Sequence, residues 1–153
     1  MRAFRAAAVA AVISCIATTP ALPEGIFDGA WMIPADFAVQ LSDCGQSLCG
    51  SLVWLERARD ATGAPVRDKN NPDPARRANT LCGTRVVWAL RAQASNQWAN
   101  GYIYSPDDGN TYRVKAELRS DGTFVARIYR GIPMFGEDRT LVHVPRLNSE
   151  GWC

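Results

Sequence analysis

The feature that most constrains this chain is the strict two-residue alternation over residues 112–119. Tyr112, Val114, Ala116 and Leu118 fall on one side, and Arg113, Lys115, Glu117 and Arg119 on the other. Successive side chains of a strand point to opposite faces, so the pattern dictates a half-buried antiparallel strand with one wet face. The same period recurs elsewhere. Phe37, Val39 and Leu41 alternate with Ala38, Gln40 and Ser42. Val86, Trp88 and Leu90 share a face, as do Tyr102 and Tyr104, and then Phe124, Ala126 and Ile128. Residues 48–55 form a continuous strand-like run, and 140–144 a last short strand stopped by Pro145. Turn chemistry separates these runs. In Ser105-Pro106-Asp107-Asp108-Gly109, proline presets φ, aspartate accepts local backbone bonds and glycine takes positive φ. Ser120-Asp121-Gly122 repeats the device one strand later. A helical pattern after the first twenty-one residues is confined to a single turn at 75–78.

About eight short strands joined by sequential turns predict an all-β meander. Closing it into an antiparallel up-and-down barrel of the lipocalin or calycin type removes both sheet edges; a two-sheet sandwich is the alternative. One connection breaks the rhythm: residues 56–81 are polar and too long to be a structureless loop inside a compact domain. Its Asn71-Pro72-Asp73-Pro74 core is stiff. The segment reads either as a flap held over one barrel end by Arg–Asp pairs or as a lid over a pocket.

The N-terminus reads as an export signal. Arg2 and Arg5 precede an apolar stretch at 6–16, and Thr19-Pro20-Ala21 offers a cleavage site after Ala21. The expected organisation is a signal peptide at 1–21 and one barrel domain at 22–153. No apolar stretch reaches the roughly 18 residues that span a bilayer. Val12-Ile13-Ser14-Cys15 offers a second route, in which Cys15 carries a lipid anchor. Both routes lead to the periplasm or the exterior, which are oxidising. The net charge of +2 is supplied by Arg2 and Arg5, so removing the leader leaves a neutral domain. That excludes a nucleic-acid binder, which needs a basic face.

Five cysteines stand at Cys15, Cys44, Cys49, Cys82 and Cys153. Setting Cys15 aside leaves four, which allow three pairings. Cys44 with Cys49 is the best local pair, since strands flank the turn at Gly45. Cys82 with Cys153 would then tie the C-terminal tail to the body. A zinc site is not expected, because four ligands are needed and His143 is the single histidine. No cofactor motif is present.

Three segments together carry a resemblance: DCGQSLCGSLVWL at 43–55, NPDPARR at 71–77 and GYIYSPDDGNTY at 101–112. Their order and spacing resemble the bacterial exported family called domain of unknown function 2147, over roughly residues 27–146. The resemblance implies a small envelope domain with a leader and a mostly β body, and no established activity. The chain departs from the family pattern where Asn79 and Thr80 replace an Arg and a Pro. It departs again where Leu141 and His143 stand in place of a Trp and an Arg.

Candidate site residues follow from chemistry. Trp54, Trp88, Trp98, Tyr102, Tyr104 and Tyr112 would line an aromatic wall suited to an amphipathic ligand, or else simply fill a small barrel. Asn71, Asp73 and Arg77 would cap the pocket from the long loop. Arg76 and Arg77 beside Asp73 would fork a small anion or latch the loop internally. Asp107 and Asp108 are adjacent turn residues that point apart, which suits turn formation rather than acid–base chemistry. His143 reads as a buried, hydrogen-bonded core histidine sooner than a general base. No phosphate-cradling glycine loop, zinc-protease helix or nucleophile elbow is present. The expected function is a non-catalytic module of the bacterial envelope that binds a small amphipathic or anionic molecule. A structural or protein-interaction module with a filled barrel is the alternative. An enzyme using Asp73, Arg77, Tyr104 or His143 comes third.

Overall fold

The computed structural model describes Pro23, residues 25–145 and Cys153. The expected leader and the Cys15 anchor lie outside the described residues. Eight strands follow one another: β1 (Ala30–Ile33), β2 (Phe37–Asp43), β3 (Leu48–Leu55), β4 (Arg85–Ala94), β5 (Gln97–Ser105), β6 (Asn110–Leu118), β7 (Phe124–Tyr129) and β8 (Glu137–Val144). Each pairs antiparallel with its neighbour, and β8 pairs back onto β1. The sheet is therefore a closed up-and-down barrel rather than a sandwich. The expected turn at 75–78 is a 3-10 turn at Pro74–Arg76, and a second lies at Pro133–Phe135.

The alternation of β6 is met in the structure: Val114 and Ala116 are buried while Lys115 and Glu117 are exposed. Closure needs local breaks in register, because a regular sheet does not bend into a tight cylinder. They occur on four consecutive strand pairs from β2–β3 to β5–β6. Asn100, with φ of 60°, stands in the β5–β6 break between Trp98 and Gly101.

One end of the barrel is filled. Trp31 and Trp98 both pack on Phe124, with ring centroids 5.2 and 5.5 Å apart. The Trp31 Nε1 group donates to the carbonyl of Ile26 at 3.0 Å, fastening the N-terminal turn beneath this cluster. Both expected disulfides form: Cys44–Cys49 at the β2–β3 turn, and Cys82–Cys153. The Cys153 amide also donates to the carbonyl of Val53 on β3.

The long loop is ordered through short-range bonds and one distant attachment. Isolated bridges join Arg59 to Pro65 and Arg67 to Thr80. Asn70 Nδ2 donates to the carbonyls of Pro106 and Asp107 in the β5–β6 turn, at 3.1 and 2.8 Å. Gly109 closes that turn with φ of 69°, and a Cβ there would lie 2.0 Å from the Asn70 carbonyl oxygen. Glycine is the residue that permits both the conformation and the approach.

Candidate functional site

The other end of the barrel is open. Here β1, β3, β5 and β7 finish and β2, β4, β6 and β8 begin, and the strand ends surround a cavity of about 570 Å³. Its walls are apolar: Ile33, Phe37, Leu52, Leu55, Ile103 and Ile128 face it. The register explains the inward set. Ile103 pairs with Tyr112, and Tyr112 shares its face with the buried Val114. The exposed rim carries Asp36, Asp107 and Glu137 together with Arg130 and Arg139.

The rim charges are set by their surroundings. Partial desolvation at the cavity mouth lifts the Asp36 carboxyl above its usual range; nearby Asp107 adds to this and Arg139 opposes it. Arg130 lies 4.6 Å above the Tyr112 ring and donates to its hydroxyl at 3.2 Å. That hydroxyl in turn donates to Asp108 Oδ2. The Tyr112 bond, followed by the Asn110 amide, holds the Asp108 carboxyl well below the usual range. The arrangement offers an apolar pocket with a charged, hydrogen-bonding collar. Such a pocket takes up a molecule with an apolar body and a polar end.

The expected site residues separate into three places. Tyr104 and Tyr112 line the cavity. Trp98 lies at the filled end and is 1% exposed. Trp88 and Tyr102 stack on each other at 5.8 Å, and the Arg113 guanidinium sits 4.9 Å from the Tyr102 ring. Trp88, Tyr102 and Arg113 pair in register, so this ladder occupies the face opposite Ile103. Trp54 is half-buried opposite Ala38 and does not line the cavity.

The loop residues serve the loop. Asn71 is buried and donates to Asp68 Oδ2 at 2.6 Å. Asp73 accepts from the Ala75 amide and pairs with Arg76 at 3.4 Å. Arg77 donates from Nε to the Asn71 carbonyl at 2.7 Å. Of residues 56–81, Leu81 lines the cavity. The segment thus braces the β5–β6 rim instead of arching across the opening. His143 is exposed, not a core residue. It donates from Nε2 to the Asp28 carbonyl at 2.6 Å and meets the Trp31 ring edge-on at 5.1 Å.

Two groups carry no sequence signal of their own. Asp68 is 2% exposed and accepts from Tyr104, a partner 36 residues away. Phe135 lines the cavity from a loop that has no strand period. Phe37 and Ile103, by contrast, sit in alternating runs whose period marks two faces, one of which lines the cavity.

Among the described residues no helix is long and apolar enough to cross a membrane. A model of the family described as an uncharacterized protein conserved in bacteria, DUF2147, matches residues 29–142. The chain belongs to that family. Among solved structures it is similar to protein HP1028 from Helicobacter pylori, which is described as belonging to the lipocalin family. The identity is 19% and the TM-score 0.64, covering 77% of this chain and 82% of that one. The likeness establishes the barrel fold. A comparison with curated proteins found no match.

Proposed function

From its place in this bacterial family and the open end of its barrel, we propose that the protein is a non-catalytic binding module for a small amphipathic molecule. The observation that carries this is the cavity of about 570 Å³ with apolar walls and a charged rim. Its volume falls in the range of roughly 300–1,000 Å³ found for ligand pockets. The rim sets Asp36, Asp107 and Glu137 beside Arg130 and Arg139, so it offers both carboxylate and guanidinium partners to the polar end of a ligand. The working compartment is the periplasm or the exterior, after removal of a leader near Ala21. Two disulfides within the domain support that placement, because thiols stay reduced in the cytosol.

The test is a titration of the protein with an anilinonaphthalene sulfonate dye, paired with native mass spectrometry of protein purified gently from its envelope. A saturable single site in the titration, and an adduct released on unfolding, are the expected results. A titration that does not saturate, with no adduct, overturns the reading.

A further inference from the structure

We propose that the β7–β8 loop, residues 131–136, is a membrane-contacting portal. Its apolar tip enters the interfacial layer of a bilayer, and the ligand passes beside it between lipid and barrel. This rests on the binding function proposed above.

Among the described residues, the large hydrophobic side chains left exposed are Ile132 (52%), Met134 (76%), Phe135 (79%) and Val142 (38%). The three most exposed of these, Ile132, Met134 and Phe135, lie in one stretch of four residues. The loop backbone is fixed in a way that keeps them outside. Gly131 turns the chain at φ of 69°, and Pro133 opens the 3-10 turn. Arg127 reaches up from β7 and donates from Nε to the Pro133 carbonyl at 2.7 Å and from Nη2 to the Met134 carbonyl at 3.3 Å. Arg127 is itself held by Asp138 at 2.9 Å. With its carbonyls tied down on the barrel side, the loop presents Met134 and Phe135 to the outside. Three large apolar side chains held in water on a fixed tip are an unfavourable surface unless something apolar covers them.

The size and placement of the patch favour a bilayer as that cover. Four residues offer less area than the roughly 800 Å² per partner of a standard protein interface. A few apolar side chains on a projecting tip suffice for an interfacial anchor, whose strength adds to the attraction of anionic lipid for nearby cations. The loop's own stretch supplies a cation for that attraction. Across 127–139, three arginines stand against two acids. Arg127 pairs with Asp138 and Arg139 with Glu137, which leaves Arg130 as the cation without an ion-pair partner within this stretch, next to the tip, while Asp36 and Asp107 stand on the same rim. The tip is also continuous with the site, because Phe135 and Arg130 both line the cavity. A molecule leaving the bilayer along this loop keeps apolar contact until it is inside the barrel.

The test uses vesicles of phosphatidylethanolamine and phosphatidylglycerol carrying a dansyl-labelled fatty acid. It compares the protein with the double variant Ile132→Asp and Met134→Asp, two exposed positions that do not line the cavity. The wild-type protein should float with the vesicles and take up the fatty acid from them. The variant should lose about tenfold or more of its vesicle association, since acidic side chains are strongly disfavoured in the bilayer. Its transfer from vesicles should slow, while dye binding in free solution stays within about twofold, as expected for exposed substitutions. A wild-type protein that does not float, or a variant that floats equally well, overturns the portal and leaves dye binding to judge the cavity. Flotation without uptake of dye or fatty acid overturns the portal and the binding function together.

Discussion

Tyr104 donates from its hydroxyl to Oδ1 of Asp68 at 2.6 Å, joining β5 to the long loop across 36 residues of sequence. The other carboxylate oxygen of Asp68 accepts from Asn71 at 2.6 Å. A carboxylate that is 2% exposed is thereby satisfied by two neutral donors, one of them from the barrel wall. This bond and the Asn70 bonds to the β5–β6 turn hold the loop against the rim.

Replacing Tyr104 by Phe removes one of those donors and leaves Asp68 under-satisfied. The expected loss is about 1–3 kcal/mol, measured by urea unfolding with both disulfides intact. An unchanged midpoint would sink the latch.

The same bond sets a dependence on alkaline pH. Burial, and then the Asp68 carboxylate, push the Tyr104 phenol above its ordinary value of 10.0. The folded protein therefore holds this proton more tightly than the unfolded chain does. The contribution is complete below about pH 10 and is lost as pH rises beyond it, when the unfolded tyrosine ionises first. Unfolding midpoints should fall above that pH in the wild type and fall less steeply in Tyr104→Phe.

Asp108 has the opposite sign. The hydrogen bonds from Tyr112 and Asn110 depress its carboxyl below 3.8. What they contribute is present above that value and lost as pH falls beneath it. An NMR titration should place the Asp108 midpoint below those of ordinary aspartates. Tyr112→Phe should move it back toward them, and a midpoint indifferent to the hydroxyl would refute the assignment.

Trp98 is buried at the filled end, and its Nε1 group has no hydrogen-bond partner among the described residues. Truncation to Ala should cost about 3–5 kcal/mol, the usual range for a large aromatic in a core. Trp98→Phe should cost clearly less, because it removes an unpaired donor whose burial itself costs about 1–3 kcal/mol. Equal losses in thermal unfolding would contradict this.

The two disulfides should differ in worth. Cys82–Cys153 closes 71 residues and Cys44–Cys49 closes 5. By loop-closure entropy, removing the first should cost about 2 kcal/mol more than removing the second. Paired Cys→Ser variants compared in urea test the order.

For the cavity, Ile128→Trp places a larger ring on an inward-facing wall position. Dye affinity should fall about tenfold or more as the volume is filled, while the protein still unfolds cooperatively. Undiminished binding would place the dye elsewhere.

Much of the barrel was legible in the sequence. The alternation of β6, the turn at 105–109 and the order of the strands follow from side-chain period and turn chemistry. The expected aromatic wall does not form as one surface, for a definite reason. Trp98, Tyr102 and Tyr104 are separated by even numbers of residues, which in an unbroken strand sets them on one face. The break at Asn100 shifts the phase, so that Trp98 and Gly101 both follow the inward set of Ala116 and Val114. Ala89, with φ of 55°, interrupts β4 in a comparable place. Trp88 ends opposite Tyr102, while Leu90 lies against Gly101 inside the barrel. Period says that a strand has two faces, and a bulge decides where they exchange.

The sequence by itself determined an antiparallel meander, its turns and its cysteine inventory, because these depend on neighbours a few residues apart. Closure of β8 onto β1, the burial of Asp68 beneath Tyr104, and the outward set of Ile132, Met134 and Phe135 were decided by tertiary structure. Each depends on groups distant in the chain meeting in space. The filled end and the open end draw on the same eight strands. Which end keeps its cavity depends on where the bulges, the N-terminal turn and the long loop come to rest.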